Sequence, residues 1–172
     1  MFLAVMLAIS IFLIVFLCFA IEKIVRYADT MFCKLDRYRE YFALLNQWLL
    51  LKQNNLSISD YLIEKGYTKV AIYGMGSIGV RLCEDLRNTK VHIERTIDRE
   101  ANTIYHPLGV LKPNIGLADL EVDAVIITVN AVDVGELKSY MTDKKIPLLK
   151  LDDIIYSIWS YRRYYMKKEI AI

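Results

Sequence analysis

The segment of this chain with the clearest chemistry is a Gly-x-Gly-x-x-Gly run that directly follows the apolar stretch 69–73. Between a strand and a helix, such glycines let the backbone approach a phosphate, and the helix N-terminus offers free N–H groups and partial positive charge. The spacing predicts a phosphate-binding loop, with a ligand-free glycine turn as the alternative. The predicted loop consists of Gly74, Met75, Gly76, Ser77, Ile78 and Gly79.

An acidic residue follows the glycine run at a distance that suits ribose binding. Asp98 lies 19 residues after Gly79, at the predicted end of the next strand. A carboxylate there accepts hydrogen bonds from the 2′- and 3′-hydroxyls of a ribose and repels a 2′-phosphate. The neighbouring Arg99 would weaken that repulsion. The pair favours NAD or a sugar nucleotide over NADP, and a carboxylate that only stabilises a turn is the alternative.

Two further polar residues are expected at the opposite wall of the same site. Thr128 and Asn130 follow the continuous apolar run 123–127, which is typical of a central parallel strand. They would face the glycine loop across the gap where ligands bind in open parallel sheets. The alternative is that they only cap a loop.

The pattern along the chain predicts an α/β domain over residues 67–152, with helices at 77–88 and 132–142. Strands that alternate with helices favour a parallel sheet with right-handed crossovers. We expect the strand order 3-2-1-4-5, with the change of direction between the first and fourth strands. The predicted strands cover residues 69–73, 91–97, 108–111, 123–129 and 146–151.

The hydrophobic fraction of 55% is high, and the excess is concentrated at the N-terminus. The run from Phe2 to Ile21 has one clearly polar residue, and as a helix it would cover roughly 30 Å. Basic residues follow this run but none precede it, which places the following chain inside. The sequence predicts a transmembrane anchor over residues 1–21 rather than a cleaved signal peptide. The expected location is a single pass through the inner membrane, with the N-terminus outside and the sheet domain in the cytoplasm.

Residues 22–66 are predicted to form a stalk helix to about residue 53 and a short helix at 58–65. Ser57 and Asp60 resemble the start of a helix, and Gly66 its end. A heptad pattern of apolar residues runs along the stalk helix. It favours either a coiled coil or packing on the domain. For residues 38–51 we expect packing, because the apolar stripe widens there to include Tyr41, Leu44, Trp48 and Leu51. The heptad residues are Ile24, Ala28, Met31, Leu35, Tyr38, Phe42, Leu45 and Leu49.

The segment 153–172 is predicted to be a C-terminal amphipathic helix with basic and aromatic residues. It would lie on an anionic membrane surface or dock on the domain. The three cysteines are expected to be free thiols, and the two histidines are isolated, so no metal site is predicted. A net charge of +2 gives no reason to expect nucleic-acid binding.

The segments KVAIYGMGSIGVRLCEDL (69–86), TIDRE (96–100) and HPLGVLKP (106–113) resemble the small Rossmann-type domain of cell-surface polysaccharide biosynthesis proteins. Such a domain follows the membrane helices in membrane-bound nucleotide-sugar dehydratases and epimerases, and a similar one opens bacterial sugar acyltransferases. The resemblance covers half the chain and implies a Rossmann-like fold and a nucleotide or sugar-nucleotide ligand. The catalytic domains of those families have no expected counterpart in this chain.

No set of catalytic residues stands out. The Tyr-x-x-x-Lys spacing occurs three times in a chain rich in both residues, which marks it as chance. We predict an accessory or regulatory protein of envelope polysaccharide assembly that holds NAD(P) or a nucleotide sugar. The alternatives are an empty scaffold that tethers partner enzymes, or a sugar-modifying enzyme that needs a separate catalytic chain. Predicted partners are the membrane, the nucleotide, envelope glycosyltransferases and a second copy bound through the stalk.

Overall fold

The computed structural model describes residues 2–129 and 132–170. It divides into two compact units, residues 1–43 and 44–172. In chain order the elements are α1 (Phe2–Gln53), α2 (Ile58–Glu64), β1 (Lys69–Tyr73), α3 (Ser77–Leu86), β2 (His92–Ile97), α4 (Pro113–Gly116), β3 (Ala124–Ile127), α5 (Val134–Tyr140), β4 (Leu148–Lys150) and α6 (Leu151–Ile170).

Within the described residues, the strands form one four-stranded parallel sheet in the order β2-β1-β3-β4. This confirms the predicted α/β class with a parallel sheet. The predicted fifth strand, at 108–111, does not form; Leu111 makes a single parallel bridge to Ile97. Prolines flank this segment, and Gly109 has a φ of +73°, so the backbone leaves the extended conformation before a ladder can grow.

Both faces of the sheet are covered. All residues of β3 and the last four of β1 are buried, as expected for central parallel strands. On one face, a core cluster joins alternate strand residues to α5 and the 117–120 segment. The remaining strand residues point to the other face because side chains alternate along a strand. The cluster comprises Ala71, Tyr73, Ile97, Leu117, Leu120, Val125, Ile127, Leu137, Met141 and Ile146.

The prediction of a membrane anchor over residues 1–21 is corrected by the structure. Among residues 2–129 and 132–170, no helix is long and apolar enough to cross a membrane. The apolar run is not an element of its own, because α1 continues without a break from Phe2 to Gln53. The predicted single-pass location in the inner membrane, with the N-terminus outside, is therefore wrong.

The C-terminal part of α1 carries two apolar stripes, of which one is buried and the other is exposed. Leu44, Trp48 and Leu51 are buried in the second unit. Leu45 and Leu49, which continue the heptad spacing, are 43% and 54% exposed. The expectation that residues 38–51 pack on the domain is thus confirmed for Leu44, Trp48 and Leu51, which widen the stripe. It is wrong for the two heptad leucines, Leu45 and Leu49.

The short elements near the sheet follow their sequence signals. Ser57 caps α2, its hydroxyl accepting a hydrogen bond from the Asp60 N–H at 3.3 Å, and Gly66 follows the helix with a φ of +83°. The first turns of α6 dock on the domain, with Ile154, Ile155 and Ile158 buried. The basic and aromatic side chains predicted for the second half of this helix, beyond residue 160, lie outside the described side chains.

One carboxylate ties together the starts of the two central strands. Asp123, directly before β3, accepts hydrogen bonds from the N–H groups of Thr68 at 2.7 Å and Lys69 at 2.8 Å, and from the Thr68 hydroxyl. The Lys69 and Thr68 N–H groups lower the pKa of Asp123 because they stabilise the ionised carboxylate. Asp123 therefore fixes the register at the amino ends of β1 and β3.

We expect Asp123→Asn to lower the free energy of unfolding at pH 7 by about 1 kcal/mol, because a neutral amide accepts these bonds less strongly. The folded pKa lies below the unfolded value of about 3.9, so the contribution is complete above that pH and is lost as the pH falls through the folded pKa. Urea unfolding from pH 7 to pH 3 measures this. The difference from wild type should narrow as the pH falls below the unfolded pKa of about 3.9. Asp29→Asn, on the exposed side of α1, is the matched control, and an equal effect of both variants would contradict the assignment.

Candidate functional site

The predicted site residues converge on the carboxyl edge of the sheet. The strands are parallel, so β1, β2 and β3 all end at this edge, and the chain direction across the sheet changes between β1 and β3. The glycine loop leaves β1 here and leads into α3. The first loop residue stays in the sheet ladder, since the Gly74 N–H donates to the Ile97 carbonyl at 2.8 Å.

The first and third glycines are required by packing within the protein. Gly74 has a φ of +100°, and a Cβ on it would lie 2.6 Å from Val129 Cγ1 and 2.7 Å from Thr128 Oγ1. A Cβ on Gly79 would lie 1.9 Å from the Gly74 carbonyl oxygen. Only glycine lets α3 approach the end of β1 this closely.

The second glycine differs from both. Gly76 has a φ of −70° and a ψ of −168°, a conformation open to any residue. A Cβ built on it would meet no atom of the described chain within 4 Å. Gly76 and the following Ser77 are exposed, whereas the flanking Met75 and Ile78 are buried. The middle of the loop thus opens to the outside, and nothing in the described structure calls for glycine at position 76.

Within the described residues, the N-terminus of α3 has no side-chain cap, whereas the N-terminus of α5 has one. Gly76 is its N-cap and provides no side-chain hydrogen bond, and the first turn holds no acidic residue. At the same edge, α5 is capped by Asp133, whose carboxylate accepts hydrogen bonds from the Gly135 and Glu136 N–H groups. The first N–H groups of a helix have no partner within the helix, so the start of α3 presents donors and partial positive charge beside Gly76.

Asp98 lies beside the glycine loop, as the sequence predicts, and its carboxylate also forms hydrogen bonds to the backbone that the sequence did not predict. Its Oδ2 accepts a hydrogen bond from the Met75 N–H at 2.6 Å, and its Oδ1 accepts one from the Glu100 N–H at 2.8 Å. The carboxylate therefore holds the glycine loop against the end of β2. An ionised carboxylate has about four acceptor positions, so two stay open to further donors.

Thr128 reaches the glycine loop from the end of β3. Its hydroxyl contacts the carbonyl oxygens of Tyr73, at 3.2 Å, and Gly74. It is buried and holds the turn between β1 and α3 in place. Thr128 was predicted to line the wall opposite the glycine loop, but its side chain packs directly on that loop. Asn130, predicted beside it, lies outside the described residues.

Arg99 turns away from the glycine loop toward α5. Its guanidinium pairs with the Glu136 carboxylate at 2.5 Å. Burial raises the pKa of Tyr73, and Arg99 opposes that effect only in part, so the phenol is neutral at pH 7. Sequence reasoning missed Tyr73 and Glu136. Tyr73 occupies a strand position that reads as core, and its place at the strand end was the one available signal.

The cysteines and histidines assemble no second centre of chemistry. Among the described residues, no group of three or more His, Cys, Asp or Glu side chains could hold a metal ion. Burial raises the pKa of Cys83 on α3 to about 11, so this thiol is protonated at neutral pH and is a poor nucleophile. Among the described residues, the groups best suited to bind a ligand lie at the glycine loop.

Comparison of the chain with protein-family models, with curated proteins and with solved structures finds no match. The resemblance to the nucleotide-binding domain of polysaccharide biosynthesis proteins therefore stays a prediction. What can be inferred about the site comes from its own geometry.

The contrast between the glycines predicts that the same substitution destabilises the fold at one position and not at the other. Gly79→Ala should lower the free energy of unfolding by about 3 kcal/mol, because the new methyl group would overlap the Gly74 carbonyl. Gly76→Ala should change it by no more than about 0.5 kcal/mol, because the methyl group enters open space. Urea unfolding followed by circular dichroism measures both. Equal destabilisation by the two variants would show that the middle of the loop is packed.

Proposed function

We propose that this chain holds a nucleotide at the glycine loop, with the phosphates at the N-terminus of α3. The observation that carries the proposal is the open space at Gly76. Packing explains Gly74 and Gly79, but nothing in the described structure explains glycine at position 76. A phosphate that approaches the backbone needs the side chain to be missing at this point of the loop.

The electrostatics of the loop support an anionic ligand. The exposed start of α3 lacks both a side-chain cap and an acidic residue in its first turn. Backbone N–H groups at a helix N-terminus bind phosphate without a basic side chain. The two acceptor positions left on Asp98 suit the hydroxyl groups of a ribose placed beside the phosphates.

The surroundings of Asp98 favour NAD or a sugar nucleotide over NADP. A 2′-phosphate would meet the negative charge of the Asp98 carboxylate. Arg99, the nearby cation in the sequence, is already paired with Glu136. A 2′-phosphate would have to compete with this carboxylate for the guanidinium.

The biological role follows from the resemblance in the sequence and is proposed on that basis. We infer a Rossmann-like domain that binds a nucleotide or sugar nucleotide as an accessory or regulatory part of cell-surface polysaccharide assembly. Glycosyltransferases of that process are the proposed partners. Binding without turnover fits the neutral Tyr73 and protonated Cys83 near the loop, neither of which is a ready base or nucleophile.

A specific observation favours a second candidate, an empty scaffold. The two side chains predicted to select the ribose, Asp98 and Arg99, already have partners within the chain. A fold whose polar groups are satisfied internally is complete without a ligand. In this case the domain would serve only to tether partner enzymes.

Calorimetric titration of the full chain with NAD, NADP and UDP-sugars tests the proposal. We expect binding of NAD or a UDP-sugar, weaker binding of NADP, and at least a tenfold loss of affinity in Gly76→Asp. The introduced carboxylate would occupy and repel the phosphate position.

The matched control is Asn88→Asp, which adds the same charge at the opposite, C-terminal end of α3. Asn88 has a φ of 63°, which aspartate also tolerates. This control should keep the affinity of wild type. No binding of any nucleotide by the folded wild-type chain would overturn the proposal and favour the scaffold. Equal binding by wild type and Gly76→Asp would overturn the proposed position of the phosphates at the glycine loop.

A further inference from the structure

One ion pair joins the two sides of the proposed nucleotide site. Arg99 follows β2, Glu136 lies in the first turn of α5 after β3, and the Arg99 Nη2 to Glu136 Oε2 distance is 2.5 Å. In the sheet, β1 lies between β2 and β3, so the pair reaches past the end of the strand that leads into the glycine loop. The pair therefore lies at the edge where the phosphates and the ribose are proposed to bind.

This ion pair fixes the direction of the Arg99 side chain. An arginine side chain has many rotamers, and on a surface its direction depends on the charged partner that holds it. The preceding carboxylate, Asp98, is bound by the N–H groups of Met75 and Glu100. Glu136, which is 37 positions further along the chain, holds the guanidinium on the α5 side of the edge instead.

Both members of the pair are accessible to a ligand. The Arg99 side chain is 54% exposed and the Glu136 side chain is 40% exposed. Exposed ion pairs contribute little to stability, so Arg99 can exchange its partner without loss of the fold. A phosphate on the 2′ position of a ribose held at Asp98 is a suitable new partner, because a guanidinium binds phosphate through two hydrogen bonds. Glu136 and a 2′-phosphate thus compete for one cation.

We propose that Glu136 is a positioning residue that sets the preference of the site between NAD and NADP. The inference rests on the proposed nucleotide binding and adds the residue that controls its selectivity. While Arg99 is paired with Glu136, the Asp98 carboxylate repels a 2′-phosphate and the guanidinium does not offset that repulsion. Removal of the Glu136 charge releases Arg99 to bind the 2′-phosphate of NADP. NAD has no such phosphate and gains no new contact.

Calorimetric titration of the full chain with NAD and NADP, in wild type and in Glu136→Gln, tests this proposal. Glutamine keeps the size of the side chain and removes its charge. We expect the NADP affinity to rise by about threefold or more, the scale of one exposed ion pair, and the NAD affinity to change by less than about twofold. The ratio of the two affinities is the decisive quantity, because a general loss of structure would weaken the binding of both nucleotides.

Arg99→Gln separates the release of the arginine from the mere loss of a negative charge near the site. If Glu136 acts through Arg99, adding Glu136→Gln to Arg99→Gln should leave the NADP affinity unchanged. The matched control is Glu84→Gln, which breaks the exposed pair of Arg81 with Glu84 on α3 by the same change in charge. This control should keep the wild-type ratio of NADP to NAD affinity.

The outcomes distinguish this inference from the proposed function. An unchanged ratio in Glu136→Gln, in a chain that binds NAD, would overturn the role of Glu136 and leave nucleotide binding in place. A rise in NADP affinity that persists in the Arg99→Gln background would overturn it too, as would binding of UDP-sugars but of neither dinucleotide. If the wild-type chain binds no nucleotide, the proposed function is wrong and this inference is wrong with it.

Discussion

The carboxyl edge of the sheet depends on the contact between Gly79 and the Gly74 carbonyl. A methyl group at position 79 would lie 1.9 Å from that oxygen, so α3 can leave β1 at this angle only with a bare backbone. Thr128 fixes the same carbonyl from the side of β3, and Asp98 holds the next N–H from the side of β2. The ends of β1, β2 and β3 and the start of α3 are thus joined through the backbone of Gly74 and Met75. A substitution at one of these contacts would displace the glycine loop.

This constraint changes what the glycine motif means. A Gly-x-Gly-x-x-Gly run is usually taken as one signal, but here packing requires two of the glycines and not the third. Gly74 and Gly79 would be needed in this fold with no ligand at all, whereas Gly76 would not. The motif is therefore evidence for a nucleotide at one position of three. Asp98 shows a similar division, since the position that predicts ribose binding is also explained by its bond to the Met75 N–H.

The parts of the structure that could be predicted are those set by local pattern. β1 and β3 are buried on both faces, so their residues form continuous apolar runs in the sequence. The bond between Asp98 and Met75 joins residues 23 positions apart, and no periodicity encodes it. The strand expected at 108–111 does not form because Gly109, in a left-handed conformation, interrupts the extended backbone, and only Leu111 pairs with Ile97. The apolar run that predicted an anchor is instead the first part of the longer helix α1.

The helix α1 shows why apolar pattern alone does not identify what covers a surface. Leu44 and Leu45 are neighbours, yet one is buried and the other is 43% exposed, because successive residues are about 100° apart around a helix. The domain therefore needs only the stripe of Leu44, Trp48 and Leu51. The exposed stripe of Leu45 and Leu49 contributes less to that packing, although it follows the same heptad spacing. Heptad spacing thus reports the period of the helix and not which of its faces the domain buries.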